Sequence, residues 1–245
     1  ALGDVCHVLP VVRTLQDAWP ATRVTWIIGK LEHKLLGHLP GIDFVTFDKK
    51  AGIDGYRALR AQLAGRRYDA LLHMQLAIRA SLAAATVPAG VKIGFDRARA
   101  RELQWLFTTH RIAARSREHV LDSLFGFAER LGVRQRLMRW DIPLPSAALD
   151  YAAQVIPDPQ PTLVLSPCSS HELRNWSADG YAAVADYAAT RYGMRVLIGG
   201  GRSDLELAVG SRIEQLMRQP CVNLVGKDTL LEMLATLRRA TVLVS

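Results

Sequence analysis

The chain has 245 residues and 31 Lys and Arg against 23 Asp and Glu, a formal net charge of +8 at pH 7. That length holds one large domain or two modest ones, and no apolar run approaches the roughly 18 residues that a membrane span requires. Three distant cysteines, Cys6, Cys168 and Cys221, without C-x-x-C spacing, argue against a disulfide framework or a zinc site and fit a reducing, cytoplasmic setting.

The basic excess is mostly Arg, whose planar fork suits phosphate and carboxylate. Anionic substrates, nucleic acid, an anionic membrane face and a diffuse basic surface are all compatible with it. The chain opens on Ala1-Leu2-Gly3-Asp4-Val5-Cys6-His7-Val8-Leu9-Pro10 with no initiator Met. A glycine and a carboxylate stand there as they do where a strand hands over to a helix, yet no strand precedes them. Gly3 permits close approach of a ligand, and Asp4 is either a helix cap or a base. The expectation is a fragment of a longer protein that begins inside its own active site.

Strands are then predicted at 23–29, 44–47 and 69–74, with a helix from Tyr56 to Arg66 whose Leu59 and Leu63 share a face. Gly94-Phe95-Asp96-Arg97-Ala98-Arg99-Ala100-Arg101-Glu102 carries three Arg at alternate positions, lying on one strand face or fanned around an anion by a loop. A helix is predicted from near Arg117. Five prolines between Pro143 and Pro161 mark a linker flanking a short helix. The predicted division is 1–145, a linker at 146–161, and 162–245.

Beyond it, strands at 162–166, 195–198, 221–224 and 241–244 alternate with helices from about Ser177, Ser203 and Thr229. Continuous apolar strands separated by helices imply parallel sheets covered on both faces. The fold class is α/β, two Rossmann-like domains, both incomplete at the chain ends. Ligands of such sheets bind beyond the strand carboxyl ends, where three loops lie. Pro167 to Trp176 offers Ser169, Ser170 and Arg174 as a phosphate cradle, or is a polar loop in which Ser177 caps a helix. Gly199-Gly200-Gly201 with Asp204 and Glu206 is a ligand loop or a tight capped turn, without the dinucleotide fingerprint. Lys227 and Asp228 stand at the third strand end, with Thr229 or Asp228 as the helix cap.

These ordered motifs resemble the heptosyltransferases of bacterial lipopolysaccharide assembly, inverting, metal-independent GT-B enzymes that use ADP-heptose and no cofactor. They are Leu2-Gly3-Asp4 with His7 and Leu9-Pro10, Ser169-Ser170 with Arg174 and Trp176, Gly199-Gly200 with Asp204 and Glu206, and Leu224-Val225-Gly226-Lys227 with Thr229 and Leu230. The resemblance spans nearly the whole chain. It implies Asp4 as general base, Ser169, Ser170 and Arg174 on the donor phosphates, Asp204 and Glu206 near the ribose, and Lys227 and Asp228 near the adenosine. Gly3, Arg97, Arg101 and His119 would face the acceptor, the Kdo-bearing inner core linked to lipid A. His119 is equally readable as a structural histidine.

The setting it implies is cytoplasmic and peripheral on the anionic inner membrane, held by charge. Relative to that family the first strand, the Asp-Ser/Thr-Gly-x-x-His loop and a C-terminal helix are missing, so the piece alone is expected to be unstable and inactive. The same fold with another nucleotide sugar is the nearest rival. Nucleic-acid binding is disfavoured, because Arg is scattered and no basic aromatic stripe occurs.

Overall fold

The computed structural model describes residues 1–169 and 171–245. By contacts the chain divides into two compact units, Ala1–Pro143 and Leu144–Ser245.

The first unit begins with α1 (Leu2–Ala18), then β1 (Val24–Gly29), α2 (Lys30–Leu36), β2 (Ile42–Phe47), α3 (Gly52–Gln62) and β3 (Tyr68–Leu72). It continues with α4 (Ile78–Ala85), β4 (Ala89–Gly94), a 3-10 turn (Gln104–Phe107), β5 (His110–Arg111) and α5 (Val120–Arg130). Its strands pair in parallel as β1-β2 and as β3-β4-β5; no described strand joins the two sheets. Leu124, Phe125 and Ala128 of α5 pack with Val8, Val12 and Leu15 of α1 and Ile93 of β4. Burying a side chain such as Phe125 contributes about 2–3 kcal/mol.

α1 carries Pro10 in its interior, where the missing N–H leaves the Cys6 carbonyl without its helical donor. The Trp140 indole N–H donates to that carbonyl at 2.8 Å. Thr14 Oγ1 accepts the Leu137 N–H at 2.9 Å, and buried Arg13 donates to the Asp141 carboxylate at 3.1 Å. The irregular stretch after α5 is thereby strapped along α1.

The second unit runs α6 (Ser146–Val155), β6 (Thr162–Leu165), a 3-10 turn (Glu172–Arg174), α7 (Ala178–Tyr192), β7 (Arg195–Ile198), α8 (Asp204–Leu216), β8 (Val222–Asn223), α9 (Leu230–Arg239) and β9 (Val242–Val244). Its four strands are all parallel in the order β8-β7-β6-β9. β6 is buried along its length, as an apolar strand covered on both faces must be. Ser177, Ser203 and Thr229 each accept a backbone N–H of the first helical turn, so all three helices start on a hydroxyl. Gly193 closes α7 at φ 61°, a left-handed position open to glycine.

Three expectations shift. Residues 146–161 are more than a linker: α6 buries Ala148 and Ala152 against Ala235 of α9, small faces that let the helices approach closely, and belongs to the second unit. The helix expected from Tyr56 to Arg66 starts at Gly52 and stops at Gln62, because Gly65 turns the chain at φ 74°. The helix expected from Arg117 starts at Val120, since Arg117 is itself left-handed at φ 56°. Among the described residues no helix is long and apolar enough to cross a membrane.

Candidate active site

In the second unit the strand order reverses between β6 and β9, the switch point beside which open α/β sheets bind ligands. The Ser166 N–H extends the ladder to the Val244 carbonyl at 2.8 Å and launches the loop toward α7. There Asn175 Oδ1 accepts the Ser169 N–H at 2.7 Å, while Ser169 Oγ donates to the His171 carbonyl at 2.9 Å. Ser170 lies outside the described residues. Arg174 ends the 3-10 turn and is exposed, with no ion pair among the described residues. Trp176 packs edge-on against Tyr181, and a Cβ at Gly180 would meet its ring at 2.5 Å.

The next loop lies alongside: burial, and then the nearby Glu206 charge, push the Cys168 thiol up. Glu206 Oε1 accepts the Gly201 N–H at 2.7 Å and Oε2 accepts the Ser203 Oγ–H at 2.6 Å. Burial alone would raise its pKa; these hydrogen bonds outweigh burial and lower it. Glu206 thus holds the glycine loop and caps α8, whereas Asp204 is exposed and uncommitted. The Gly226 N–H, at a left-handed φ of 74°, reaches the Gly200 carbonyl at 3.1 Å and ties in the third loop. Lys227 Nζ donates to the Asn223 carbonyl at 2.7 Å. Asp228 Oδ2 is buried without a hydrogen-bond partner among the described residues, and burial raises its pKa to about 6. Exposed Arg202 opposes that rise.

Three helix N-termini with uncommitted backbone N–H groups therefore open onto one sheet edge, beside Arg174 and Arg202. Such an edge binds a diphosphate: dipoles and donors face the anion, and guanidinium groups neutralise it.

In the first unit Asp4 is the third residue of α1 and half exposed, its carboxylate accepting from the Ala1 amino group at 2.9 Å. The space that a Cβ would occupy at Gly3 is open, leaving room beside the carboxylate. One turn further, His7 meets His119 edge-on with ring centroids 5.8 Å apart. His119 caps α5, its Nδ1 accepting the Leu121 N–H at 3.2 Å.

The three alternate arginines separate. Asp96 folds its segment into a turn by accepting the Ala98 N–H at 3.0 Å, so the arginines share no strand face. Arg99 turns inward to Asp96, Glu118 and the Ala113 carbonyl, fastening this loop to the one that carries His119. Arg97 and Arg101 remain exposed and without ion pairs among the described residues, Arg97 lying 5.9 Å from the centre of the Trp105 ring. Glu102 is spent on the Ile78 N–H at the start of α4.

Sequence reasoning did not assign Asn175, Arg99 or Arg202. An amide near the end of a polar loop and an Arg three residues after an Asp carry no signal that survives without the fold. Arg202, directly after three glycines at a strand end, did carry one.

A family model for glycosyltransferase family 9 (heptosyltransferase) matches residues 56–245. The lipopolysaccharide core heptosyltransferase OpsX of Haemophilus influenzae is 37% identical over 245 residues, which is 100% of this chain and 70% of that protein. Among solved structures, a family 9 glycosyl transferase from Veillonella parvula superposes with a TM-score of 0.86 at 24% identity, covering 99% of this chain and 72% of the other. Escherichia coli heptosyltransferase WaaC with ADP-2-deoxy-2-fluoro heptose gives a TM-score of 0.73 at 19% identity, covering 99% and 79%. At these identities the structural likenesses speak for the fold.

Proposed function

The chain belongs to glycosyltransferase family 9, the heptosyltransferases, and on that premise we propose that it transfers heptose from ADP-heptose to a Kdo or heptose hydroxyl of the lipopolysaccharide inner core. Configuration inverts at the anomeric carbon and no metal takes part. The observation that carries this reading is the edge of β8-β7-β6-β9, where Arg174 stands uncommitted beside three capped helix starts.

Residues 162–245 bind the donor. Ser169, Ser170 and Arg174 hold its diphosphate, Asp204 and Glu206 lie near the ribose, with Glu206 fixing the glycine loop there, and Lys227 and Asp228 lie by the adenosine. Residues 1–145 bind the acceptor, with Gly3 leaving space and Arg97, Arg101 and His119 meeting its carboxylates and phosphates. Asp4 takes the proton of the acceptor hydroxyl as that oxygen bonds to the anomeric carbon. The bond from that carbon to the diphosphate oxygen breaks on the opposite face, and ADP departs with the electron pair. Arg174 stabilises the charge growing on ADP, the role a divalent cation fills in other transferases. The enzyme works at the cytoplasmic face of the inner membrane, where a lipid-linked acceptor resides.

Transfer is measured for the full-length protein, wild type and Asp4→Asn, with ADP-heptose and Kdo-lipid A in excess chelator. Wild-type turnover with a loss of about 10²–10⁴-fold in the variant, donor affinity being unchanged, is expected for the removal of a general base. Turnover by Asp4→Asn near the wild-type rate refutes Asp4 as base. Failure to bind ADP-heptose transfers the reading to another nucleotide sugar.

A further inference from the structure

We propose that the apolar face shared by α4 and the turn Gln104–Phe107 inserts into the headgroup region of an anionic lipid bilayer. The choice of partner rests on the lipid-linked acceptor proposed above, but the surface itself is read from the first unit. Leu103 and Leu106 are 55% and 58% exposed, and Ile78, Leu82 and Trp105 join them. Ile78 and Leu82 lie one turn apart on one helix face. The Glu102 carboxylate bonds the Ile78 N–H, which fastens the two elements into one patch.

The patch is held rigidly outward. Fully buried Gln104 accepts the Phe95 N–H at 3.0 Å and donates to the His73 and Gln75 carbonyls at 2.9 and 2.7 Å. Glu102 and Leu103 are both left-handed, at φ 48° and 59°. A leucine there is strained while more than half of it stays exposed, which leaves apolar surface available to a partner outside the chain.

Charge selects the partner. Arg79, Arg97 and Arg101 rim the patch, exposed and without ion pairs among the described residues, whereas Glu102 is spent on α4 and Asp96 on Arg99. A face of Leu, Ile and Trp flanked by three exposed arginines, with its neighbouring carboxylate Glu102 bonded to the Ile78 N–H, matches a negatively charged bilayer surface. A second copy of this chain fits poorly, because a twofold contact would set these arginines against their own equivalents.

The test is cosedimentation of the protein with phosphatidylglycerol/phosphatidylethanolamine vesicles containing no glycolipid, and with phosphatidylcholine vesicles. Wild type is expected to bind the anionic vesicles and to bind the neutral ones at least about tenfold more weakly. The double substitution Leu103→Asn, Leu106→Ser is expected to cut anionic binding about tenfold or more without lowering Tm, since both side chains are exposed and Asn relaxes the left-handed position. Arg79→Glu, in no binding role above, is an independent variant expected to weaken anionic binding several-fold.

Equal binding to both vesicle types, undiminished binding by both variants, or a wild-type dimer that the double variant dissolves overturns the proposal. The variants are also assayed with a soluble, delipidated acceptor. Vesicle binding by the full-length protein without any heptosyl transfer refutes the transferase reading and leaves the lipid surface supported.

Discussion

His73 and Asp228 set opposite pH dependences within one chain. His73 is buried with Nε2 2.9 Å from Ser81 Oγ, and burial, then the Lys92 charge, lower its pKa to about 4. Unfolded, it titrates at its ordinary 6.5. Below that value the unfolded chain takes up a proton that the native state refuses. The stability present above pH 6.5 is therefore lost as pH falls toward 4, by about 3 kcal/mol in all. Urea unfolding at pH 7 and pH 5 should show this loss, and His73→Gln should flatten it.

Asp228 works the other way. Its native pKa of about 6 lies above its ordinary 3.8, so the native state holds its proton longer and stability declines as pH rises from about 4 to 6. Asp228→Asn is expected to raise stability by about 1 kcal/mol at pH 7.5 after allowance for solvent screening, and not at pH 4; thermal melts at the two pH values check it. Should its carboxylate lie by the nucleotide, the anionic donor would bind more tightly below pH 6 than above it.

At the scale of elements, α1 is completed by a residue far along the chain. Trp140→Phe removes the donor to the Cys6 carbonyl and is expected to cost about 1 kcal/mol. In a Pro10→Ala background the helix supplies its own N–H, so the same substitution should cost measurably less; a double-mutant cycle by urea unfolding reads the difference. Local chemistry of this kind was only partly legible beforehand.

The α/β alternation and the caps Ser177, Ser203 and Thr229 are written in neighbouring residues, and strand and cap positions agree to within a few residues. The mate of Pro10 is not local, nor is the inward turn of Arg99, which depends on Glu118 and Ala113 meeting it. Proline density suggested a linker at 146–161, but prolines flank α6 without interrupting it, and only its packing on α9 assigns it to the second unit. Of the candidate site, the loops of the second unit were readable because they recur at strand ends. Asn175 became meaningful only when the Ser169 N–H was seen to meet its amide oxygen across the loop.

At the scale of the whole molecule, each unit has its own core. Trp176 is the one tryptophan of the second unit, set at the mouth of the proposed phosphate loop. ADP is expected to shift its emission. Trp176→Phe should abolish that signal although four tryptophans remain, and a fluorescence titration of both proteins decides it.

The three cap hydroxyls of this unit stand 26 residues apart in each case, Ser177 to Ser203 and Ser203 to Thr229. A strand, a loop and a helix are thus repeated with no net change of length, and every repeat returns its variable segment to the same edge. Residues added at the far end of a helix emerge on the opposite edge, while residues added just before a cap alter what the edge can hold. Each strand-to-cap segment is therefore a cassette: exchanged between relatives at conserved spacing, it would change donor preference while the sheet beneath stays as it is, so that architecture and specificity can evolve on separate clocks.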